Sequence, residues 1–420
     1  MTAHPAPLHQ PTRRQTTLHL LLTHGGVAAH HTLTVHTPTY YGQHVLDAAR
    51  AAGLDGWLGR RLAFSPQGTA GGVTRAECVW HLHSAAPLGP AAAPDEAPAR
   101  AIGWRQAALS LPPPTPWFHR SWRALALEWL DTELAAQGLS RTGGPEVLKH
   151  WQISLLWRVP TTGGQVYFKA APEFFAREVH LTPVLARELV GAAPGVLAAD
   201  TARGFLLLAD AGETGTDDLE GLMRHLAAVQ RASRPLLPRL ALRDRGPGYL
   251  RRWWPRLLGD EVLLVGQPGG LTPAEAAALR GRHTELDAAL ARLAASSLPP
   301  TLGHGDLHSG NVATQGGAFT LLDWSDACCT HPFLDAQPAS LAPDATPGAL
   351  AAARDAYLAA WTDCAPLDEL RALHSDAALA GELLRALGYV DGIQGAVADK
   401  TEWHGVHLDH LRRLLPGTPS

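Results

Sequence analysis

The segment from His304 to Trp324 contains the residues of this sequence that are best suited to chemistry. Asp306 and Asn311 are five residues apart on a glycine-containing stretch, and Asp323 follows a short apolar run that predicts a strand. Such spacing can bring oxygen-bearing side chains to one divalent ion, and Mg²⁺ prefers oxygen ligands. In phosphoryl transfer, the first Asp of this pattern accepts the proton of the attacking hydroxyl. The Asn and the second Asp then hold Mg²⁺ at the nucleotide phosphates.

Asn311 is the only asparagine among the 420 residues, so its position within this pattern is informative. The alternative is that Gly310 and Asn311 only form a turn, because Asn tolerates left-handed backbone conformations. A turn alone accounts for neither Asp306 nor Asp323. We therefore interpret Asn311 as a metal ligand.

The segment His304–Asn311 (HGDLHSGN) with Leu322–Trp324 (LDW) resembles the catalytic and metal-binding segments of the aminoglycoside phosphotransferase and choline kinase-like superfamily. Its members are small-molecule kinases with a protein-kinase-like fold. The resemblance implies that Asp306 is the catalytic base and that Asn311 and Asp323 are the metal ligands. It also implies ATP and Mg²⁺ as cofactors and a small-molecule hydroxyl acceptor as the partner.

The same resemblance implies roles for two further positions. In the segment His331–Asp335, Asp335 would brace the catalytic loop, although Thr330 stands where a Gly usually precedes the His. His308 lies where protein kinases carry a catalytic-loop lysine. There it would either contact the transferred phosphate or hydrogen-bond to the loop.

A hairpin upstream ends on one of only three lysines in the chain. Residues 153–159 and 165–169 are predicted strands around a Thr-Thr-Gly-Gly turn. Lys169 at the end of the second strand matches the kinase lysine that contacts the nucleotide phosphates, and a surface strand lysine is the alternative. Glu178 is the candidate acid that orients Lys169, and Glu188 is the second candidate.

Three further residues are expected to contact the nucleotide. No G-x-G-x-x-G loop precedes the hairpin, and in the superfamily that this sequence resembles a less glycine-rich loop often covers the phosphates. The resemblance implies that residues 151–154 lie over the phosphates, with Ser154 as a contact. The apolar stretch 204–209 predicts another strand. By resemblance its end is the hinge, where the backbone of Leu208 and Ala209 would pair with adenine.

The expected fold class is α+β, with a protein-kinase-like two-lobed fold and an additional small α+β N-terminal domain. Residues 1–16 are expected to be a flexible tail, 17–111 the N-terminal domain and 112–140 a Pro-rich linker with a connecting helix. Residues 141–210 would form the β-rich N-lobe and 211–420 the helical C-lobe.

The N-terminal domain is expected to contain strands at 17–23, 32–36, 76–83 and 101–109, and a helix over 45–52. This order is faintly similar to that of a Nudix domain. The helix-borne cluster of Glu residues that binds metal in Nudix domains is not found in the sequence. We therefore interpret the domain as non-catalytic and degenerate, with structural support, regulation and oligomerisation all open.

The composition excludes several other classes of protein. The formal net charge is −4 and 18% of the residues are charged, so nothing indicates binding to nucleic acid. No apolar run is long enough to span a bilayer, and the N-terminal residues lack the apolar core of a signal peptide. We expect no membrane partner and a cytoplasmic location. The oligomeric state is open.

The sequence predicts an ATP- and Mg²⁺-dependent phosphotransferase that acts on a hydroxyl of a small molecule. The alternative is a nucleotide-binding pseudokinase that acts as a scaffold or sensor. The complete set of Lys169, Asp306, Asn311 and Asp323 favours the enzyme, because degenerate sites usually lose one member. Aminoglycoside, amino-alcohol, sugar and homoserine-type acceptors all suit this architecture. Candidate contacts for a cationic acceptor are Asp363, Glu382 and Asp391, although a solvated helix face explains each equally well.

Overall fold

The computed structural model describes residues 13–37, 42–70, 73–88, 99–110, 115–266, 269–397 and 405–415. The chain divides into two compact units, Met1–Pro172 and Glu173–Ser420. The division falls inside the segment predicted as the N-lobe, so the strands of that segment belong to both units. The finer domain boundaries inferred from the sequence stay a prediction.

The first unit begins with a four-stranded sheet of spatial order β2-β1-β4-β3. Its strands are β1 (Arg13–His24), β2 (Val27–Val35), β3 (Gly56–Ala70) and β4 (Val73–Ser84). β1 pairs antiparallel with β2 and parallel with β4. Helix α1 (Gly42–Ala51) connects β2 to β3 in the chain. The predicted hairpin, helix and strand at 76–83 are confirmed.

Alternate residues of β1 form the core of this sheet together with one face of α1. Leu18, Leu20 and Leu22 are buried and lie in one cluster with Val45 and Trp80. The period of two follows from strand geometry, because alternate side chains point to the same face. The sheet and α1 therefore share one hydrophobic core.

Two expectations for the N-terminal domain are wrong, and one strand was not expected. Residues 101–109 lie in helix α2 (Ala99–Ser110) and not in a strand. The stretch is rich in alanine, the strongest helix former, and has no sustained alternation of apolar and polar residues. β1 begins at Arg13, so residues 13–16 belong to the sheet and not to a tail, while residues 1–12 lie outside the described part. β3 was not predicted, because glycines, a proline and register shifts interrupt its pattern.

The remainder of the first unit contains the connecting helix and three strands. After a short 3₁₀ turn (Pro116–Phe118), helix α3 spans Arg120–Ala136 and confirms the predicted helix. Residues 111–114 of the Pro-rich linker lie outside the described part. The antiparallel strands that follow are β5 (Glu146–His150), β6 (Leu155–Thr161) and β7 (Gly164–Ala170). The hairpin expected at 153–169 is therefore confirmed.

Aromatic residues pack α3 against the hairpin that carries Lys169. The ring centroids of Trp122 and Trp157 are 5.8 Å apart, and those of Trp129 and Phe168 are also 5.8 Å apart. Aromatic pairs at such separations stabilise packing beyond the burial of their area. The strand position next to Lys169 is thus fixed by a large apolar contact.

The second unit begins with α4 (Ala176–Glu188) and the antiparallel pair β8 (Val196–Asp200) and β9 (Phe205–Ala209). Two small sheets follow, of orders β10-β13-β14 and β11-β15-β12. Their strands are β10 (Glu213–Thr214), β11 (Arg243–Asp244), β12 (Thr301–Gly303), β13 (Val312–Gln315), β14 (Ala318–Leu321) and β15 (Cys328–Thr330).

Helices form the rest of the second unit and bury its largest hydrophobic cluster. They are α5 (Leu219–Ser233), α6 (Pro247–Gly259), α7 (Glu261–Leu264), α8 (Pro273–Gly281), α9 (His283–Ala295), α10 (Pro338–Leu341), α11 (Pro347–Leu358), α12 (Leu367–Leu387) and α13 (Val406–Arg413). A π-helical turn (Gly388–Ile393) continues α12. The predicted α+β class, with strands followed by a helical C-terminal part, is confirmed. Within the residues described, no helix is both long and apolar enough to cross a membrane.

Candidate active site

A β-hairpin brings Asn311 and Asp323 to the same end of one small sheet. Asn311 directly precedes β13, and Asp323 lies two residues after β14, which pairs antiparallel with β13. The N–H of Leu322 donates to the Asn311 carbonyl at 2.8 Å, so the pairing continues beyond the strand ends. The hairpin register therefore places both residues at one end of the sheet, and their role as metal ligands stays a prediction.

The Asn311 side chain also fixes the catalytic loop. Its Nδ2 donates to the backbone carbonyl of Asp306 at 2.9 Å. Because the amide nitrogen is used in this bond, Oδ1 is the atom left to accept or to coordinate. Asn311 therefore presents an oxygen while holding Asp306 in place.

Asp335 holds the other side of the loop. Its carboxylate accepts hydrogen bonds from the backbone N–H groups of His304 and Gly305, the latter at 3.1 Å. The predicted bracing role of Asp335 is confirmed, although Thr330 replaces the usual glycine. Two buried N–H groups bound to one carboxylate give the loop a defined position, because such groups are costly to leave unpaired.

His304 is buried and connects the loop to the strand that leads to Asp323. Its Nε2 donates to the Leu322 carbonyl at 2.7 Å, which leaves Nδ1 to accept from the Asp306 N–H at 3.4 Å. Its ring also packs on Trp324, with centroids 4.7 Å apart. The histidine of the motif is therefore a structural residue in this protein.

The backbone adopts unusual conformations at two positions of this site. Gly305 has φ +84°, and a Cβ there would lie 2.4 Å from the Asp326 carbonyl oxygen. Asp323 has φ +63°, which is uncommon for a residue with a side chain. Strained residues of this kind persist where the surrounding structure enforces them, often at functional sites.

Three acidic side chains influence one another at this site. The pKa of Asp306 is raised by burial and by the charge of Asp323, and is lowered in part by His304, Arg385 and His410. Burial and the charges of Asp306 and Asp323 raise the pKa of Asp326 to about 6, against the effect of Arg245. Burial and the neighbouring negative charges therefore disfavour ionisation of Asp306 and Asp326.

The oxygen ligands suit Mg²⁺ better than a transition metal. Among the described residues, no three His, Cys, Asp or Glu side chains come together as a metal site. Asn311 and Asp323 would supply one amide oxygen and one carboxylate. Mg²⁺ is typically held by one or two carboxylates together with substrate phosphates, so this small set fits the ion.

The predicted nucleotide contacts are distributed over both units. In the first unit, Lys169 is buried on β7 and Ser154 is buried in the loop before β6. In the second unit, Glu178 is buried on α4 and Leu208 is buried on β9. The roles of these four residues stay predictions.

Two other candidates are less suited to their predicted roles. Glu188 is exposed and pairs with Arg187 at 3.1 Å and Arg239 at 3.8 Å, so it is a poor candidate for orienting Lys169. The Ala209 N–H donates to the Gly195 carbonyl at 2.7 Å. This N–H is therefore not available to adenine. Of the two backbone groups of Ala209, the carbonyl keeps the predicted hinge role.

The carboxylates proposed to contact a cationic acceptor are already bound to cations of the protein. Asp363 pairs with Arg231 at 2.8 Å. The remaining pairs join Glu382 to His410, Arg413 and Arg385, and Asp391 to Arg245 and Tyr249. Each carboxylate therefore has a partner within the chain.

Sequence reasoning missed two residues near Asp306. Asp326 follows Asp323 by three residues, and this second acid in the Asp-Trp-Ser-Asp stretch was a usable signal. Arg385 contacts the catalytic loop from the end of α12. No motif distinguishes it from the many other arginines of the chain.

The model of the phosphotransferase enzyme family matches residues 147–373, which is more than half of the chain. The chain therefore belongs to this family, and the resemblance inferred from its motifs is confirmed. The protein is an enzyme of the small-molecule kinase class, and its α+β fold is protein-kinase-like. No curated protein matches the chain.

Several solved structures are similar to this chain at low identity. A macrolide 2′-phosphotransferase type I is 16% identical, with 70% of this chain and 97% of that chain covered and a TM-score of 0.47. A choline/ethanolamine kinase family protein from Mesorhizobium loti is 17% identical, with 70% and 96% covered and a TM-score of 0.49. A spectinomycin phosphotransferase in complex with ADP and spectinomycin is 10% identical, with 68% and 93% covered and a TM-score of 0.44. The family assignment rests on the family model alone.

Proposed function

We propose that this protein transfers the γ-phosphate of ATP to a hydroxyl group of a small molecule, with Asp306 as the catalytic base. One observation carries the proposal. The backbone around Asp306 is fixed by Asp335 and Asn311, while the Asp306 side chain is 45% exposed. A carboxylate that is both held in place and accessible is suited to accept a proton from a bound hydroxyl.

Asn311 and Asp323 would hold Mg²⁺, which when bound neutralises negative charge on the transferred phosphoryl group. Asp306 would orient the acceptor hydroxyl and accept its proton. The Nε2 atom of His308 lies 3.8 Å from Oδ2 of Asp306. A small rotation of the imidazole would bring it within hydrogen-bonding distance of this carboxylate. These residues act through position and charge, which account for most of the catalysis in phosphoryl transfer.

Lys169 would contact the nucleotide phosphates, with Glu178 orienting it. The support is the match of the two residue types to the kinase pattern, and each side chain is buried. Ser154, Leu208 and the Ala209 carbonyl would complete the nucleotide contacts. ATP and Mg²⁺ as cofactors, and a cytoplasmic location, are part of this proposal.

The acceptor is a small molecule with a hydroxyl group, and its charge is open. Because Asp363, Glu382 and Asp391 are each paired with cations of the chain, they give no support to a polycationic acceptor. Neutral sugars, amino alcohols and hydroxylated amino acids should therefore be tested beside aminoglycosides.

The test is ATP turnover with Mg²⁺ over such a panel, for the wild type, Asp306→Ala and Asp306→Asn. We expect one acceptor class to stimulate turnover, and both variants to lower kcat by about 10³-fold or more at an unchanged melting temperature. Asp287→Ala is a matched control, because Asp287 is a surface residue of α9 that pairs with Arg251.

Two results would contradict the proposal. Turnover that survives in both Asp306 variants would exclude this residue as the base. Tight binding of Mg²⁺-ATP without turnover on any acceptor would favour the pseudokinase alternative.

A further inference from the structure

Arg385, at the C-terminal end of α12, hydrogen-bonds to the catalytic loop. Its Nη2 donates to the Leu307 carbonyl at 3.1 Å, and its Nη1 donates to Ser340 Oγ at 2.6 Å. The side chain is only 12% exposed. Arg385 therefore joins α12 and α10 to the residue that directly follows Asp306.

This contact completes the fixation of the backbone around Asp306. Asp335 binds the N–H groups of His304 and Gly305, and Asn311 binds the Asp306 carbonyl. Arg385 binds the next carbonyl along the chain. Through Arg385, the C-terminal helices also help to hold the backbone around Asp306.

Glu382 connects Arg385 to the last helix of the described chain. One carboxylate oxygen of Glu382 lies 3.5 Å from Arg385 Nη1, and the other lies 2.8 Å from His410 Nδ1. Arg413 pairs with the same carboxylate at 3.3 Å, and Tyr389 stacks on His410 with ring centroids 5.7 Å apart. A continuous set of polar contacts thus extends from α13 through α12 to the loop.

Helix α12 also carries a second arginine that provides a comparison. The Arg371 guanidinium, on the same helix, instead pairs with Asp355 and Asp368.

We propose that Arg385 is a positioning residue for phosphoryl transfer, and that Glu382 and His410 set its orientation, so that helix α13 controls the alignment of Asp306. This inference rests on the function proposed above. A guanidinium is planar and rigid, so it can hold two acceptors in fixed directions. A single hydrogen bond from a flexible side chain does not fix the direction in this way. A displacement of about 1 Å in such a site can lower the rate by roughly 10²-fold.

The test compares Arg385→Gln, Arg385→Lys and the matched control Arg371→Gln. We expect Arg385→Gln to lower kcat by roughly 10²-fold with KM for ATP and acceptor changed by less than about threefold. Arg385→Lys should recover part of kcat, because a lysine can donate to one carbonyl but cannot also reach Ser340. Arg371→Gln should leave kcat within about twofold. Glu382→Gln and His410→Gln should have intermediate effects, since both residues act through Arg385.

A second measurement does not need turnover. Hydrogen–deuterium exchange of a peptide covering 303–312 should be faster in Arg385→Gln than in wild type, while peptides of the first unit are unchanged. This result would establish the loop contact even if no acceptor were found. A failure of the proposed function would therefore appear in the turnover assay alone, and a failure of this inference would appear in the exchange measurement. An unchanged kcat in an active enzyme, or unchanged exchange, would overturn the proposal. So would a loss of kcat that accompanies faster exchange throughout the second unit.

Discussion

The candidate catalytic segment, residues 304–335, and the N-terminal sheet, residues 13–84, are stabilised in different ways. In the segment, side chains of Asp335, Asn311 and Arg385 bind backbone groups, and Gly305 and Asp323 have positive φ angles. In the sheet, paired strands bury alternate leucines against α1. The structure of the segment therefore depends on the positions of individual atoms, whereas the stability of the sheet depends on the total apolar area that it buries.

The largest difference should appear when oxygen ligands are removed. Asn311→Ala and Asp323→Ala should each lower kcat/KM by about 10²- to 10³-fold and raise the Mg²⁺ concentration that gives half-maximal turnover. Asp47→Ala on α1, which removes an exposed carboxylate paired with Arg50, should leave both quantities within about twofold. Steady-state rates over a Mg²⁺ titration measure both. A wild-type Mg²⁺ dependence in Asn311→Ala would remove this residue from the metal site.

Two Gly→Ala substitutions, one in the segment and one in the sheet, test whether stability is more sensitive to added atoms in the segment. Gly305→Ala combines a positive φ with a contact of 2.4 Å to the Asp326 carbonyl, so it should lower the free energy of unfolding by about 3–4 kcal/mol. Gly25→Ala, in the turn between β1 and β2, has a positive φ and open space, so it should lower it by about 1 kcal/mol.

Denaturant unfolding, followed separately for each unit by hydrogen exchange, measures both variants. Gly305→Ala should also be inactive at temperatures where it is folded. Equal effects on stability in the two variants would show that left-handed backbone strain, and not the contact with Asp326, dominates.

Acid stability tests a buried histidine that packs against the N-terminal sheet. Burial lowers the pKa of His150, which packs near Trp80 and Phe118, to about 4. As the pH falls from about 6.5 to 4, the unfolded chain binds a proton that the folded chain does not, so stability decreases with falling pH. A pKa lowered by this amount corresponds to roughly 3–4 kcal/mol of stability, all of which is lost below about pH 4.

His150→Phe should therefore reduce the loss of stability between pH 7.5 and pH 4.5, as measured by the denaturation midpoint of the first unit. His31→Gln, at an exposed position of β2, is the matched control and should retain the wild-type slope. An unchanged slope in His150→Phe would assign the acid sensitivity of this region to other groups.

The candidate site residues could be selected from the sequence because the proposed chemistry restricts both residue type and spacing. Asp306, Asn311 and Asp323 lie in one hairpin and the loop before it, so the local chain connection places them in the same region. Asp335 was predictable through the family resemblance, since it follows in the next short segment. The region 99–110 was misread because its short run of scattered apolar residues does not by itself separate a strand from a helix, and the preceding element is a strand.

The sequence by itself determined the family, the hairpin that carries Lys169, and the loop that carries Asp306, because backbone propensity and ligand chemistry act over a few neighbouring residues. Only the tertiary structure decided that Arg385 binds Leu307, and that Asp363, Glu382 and Asp391 are paired with cations. Most of these partners are far apart in the chain, as Arg231 is from Asp363. Helix packing selects them, and neither periodicity nor spacing along the sequence records which arginine meets which carboxylate.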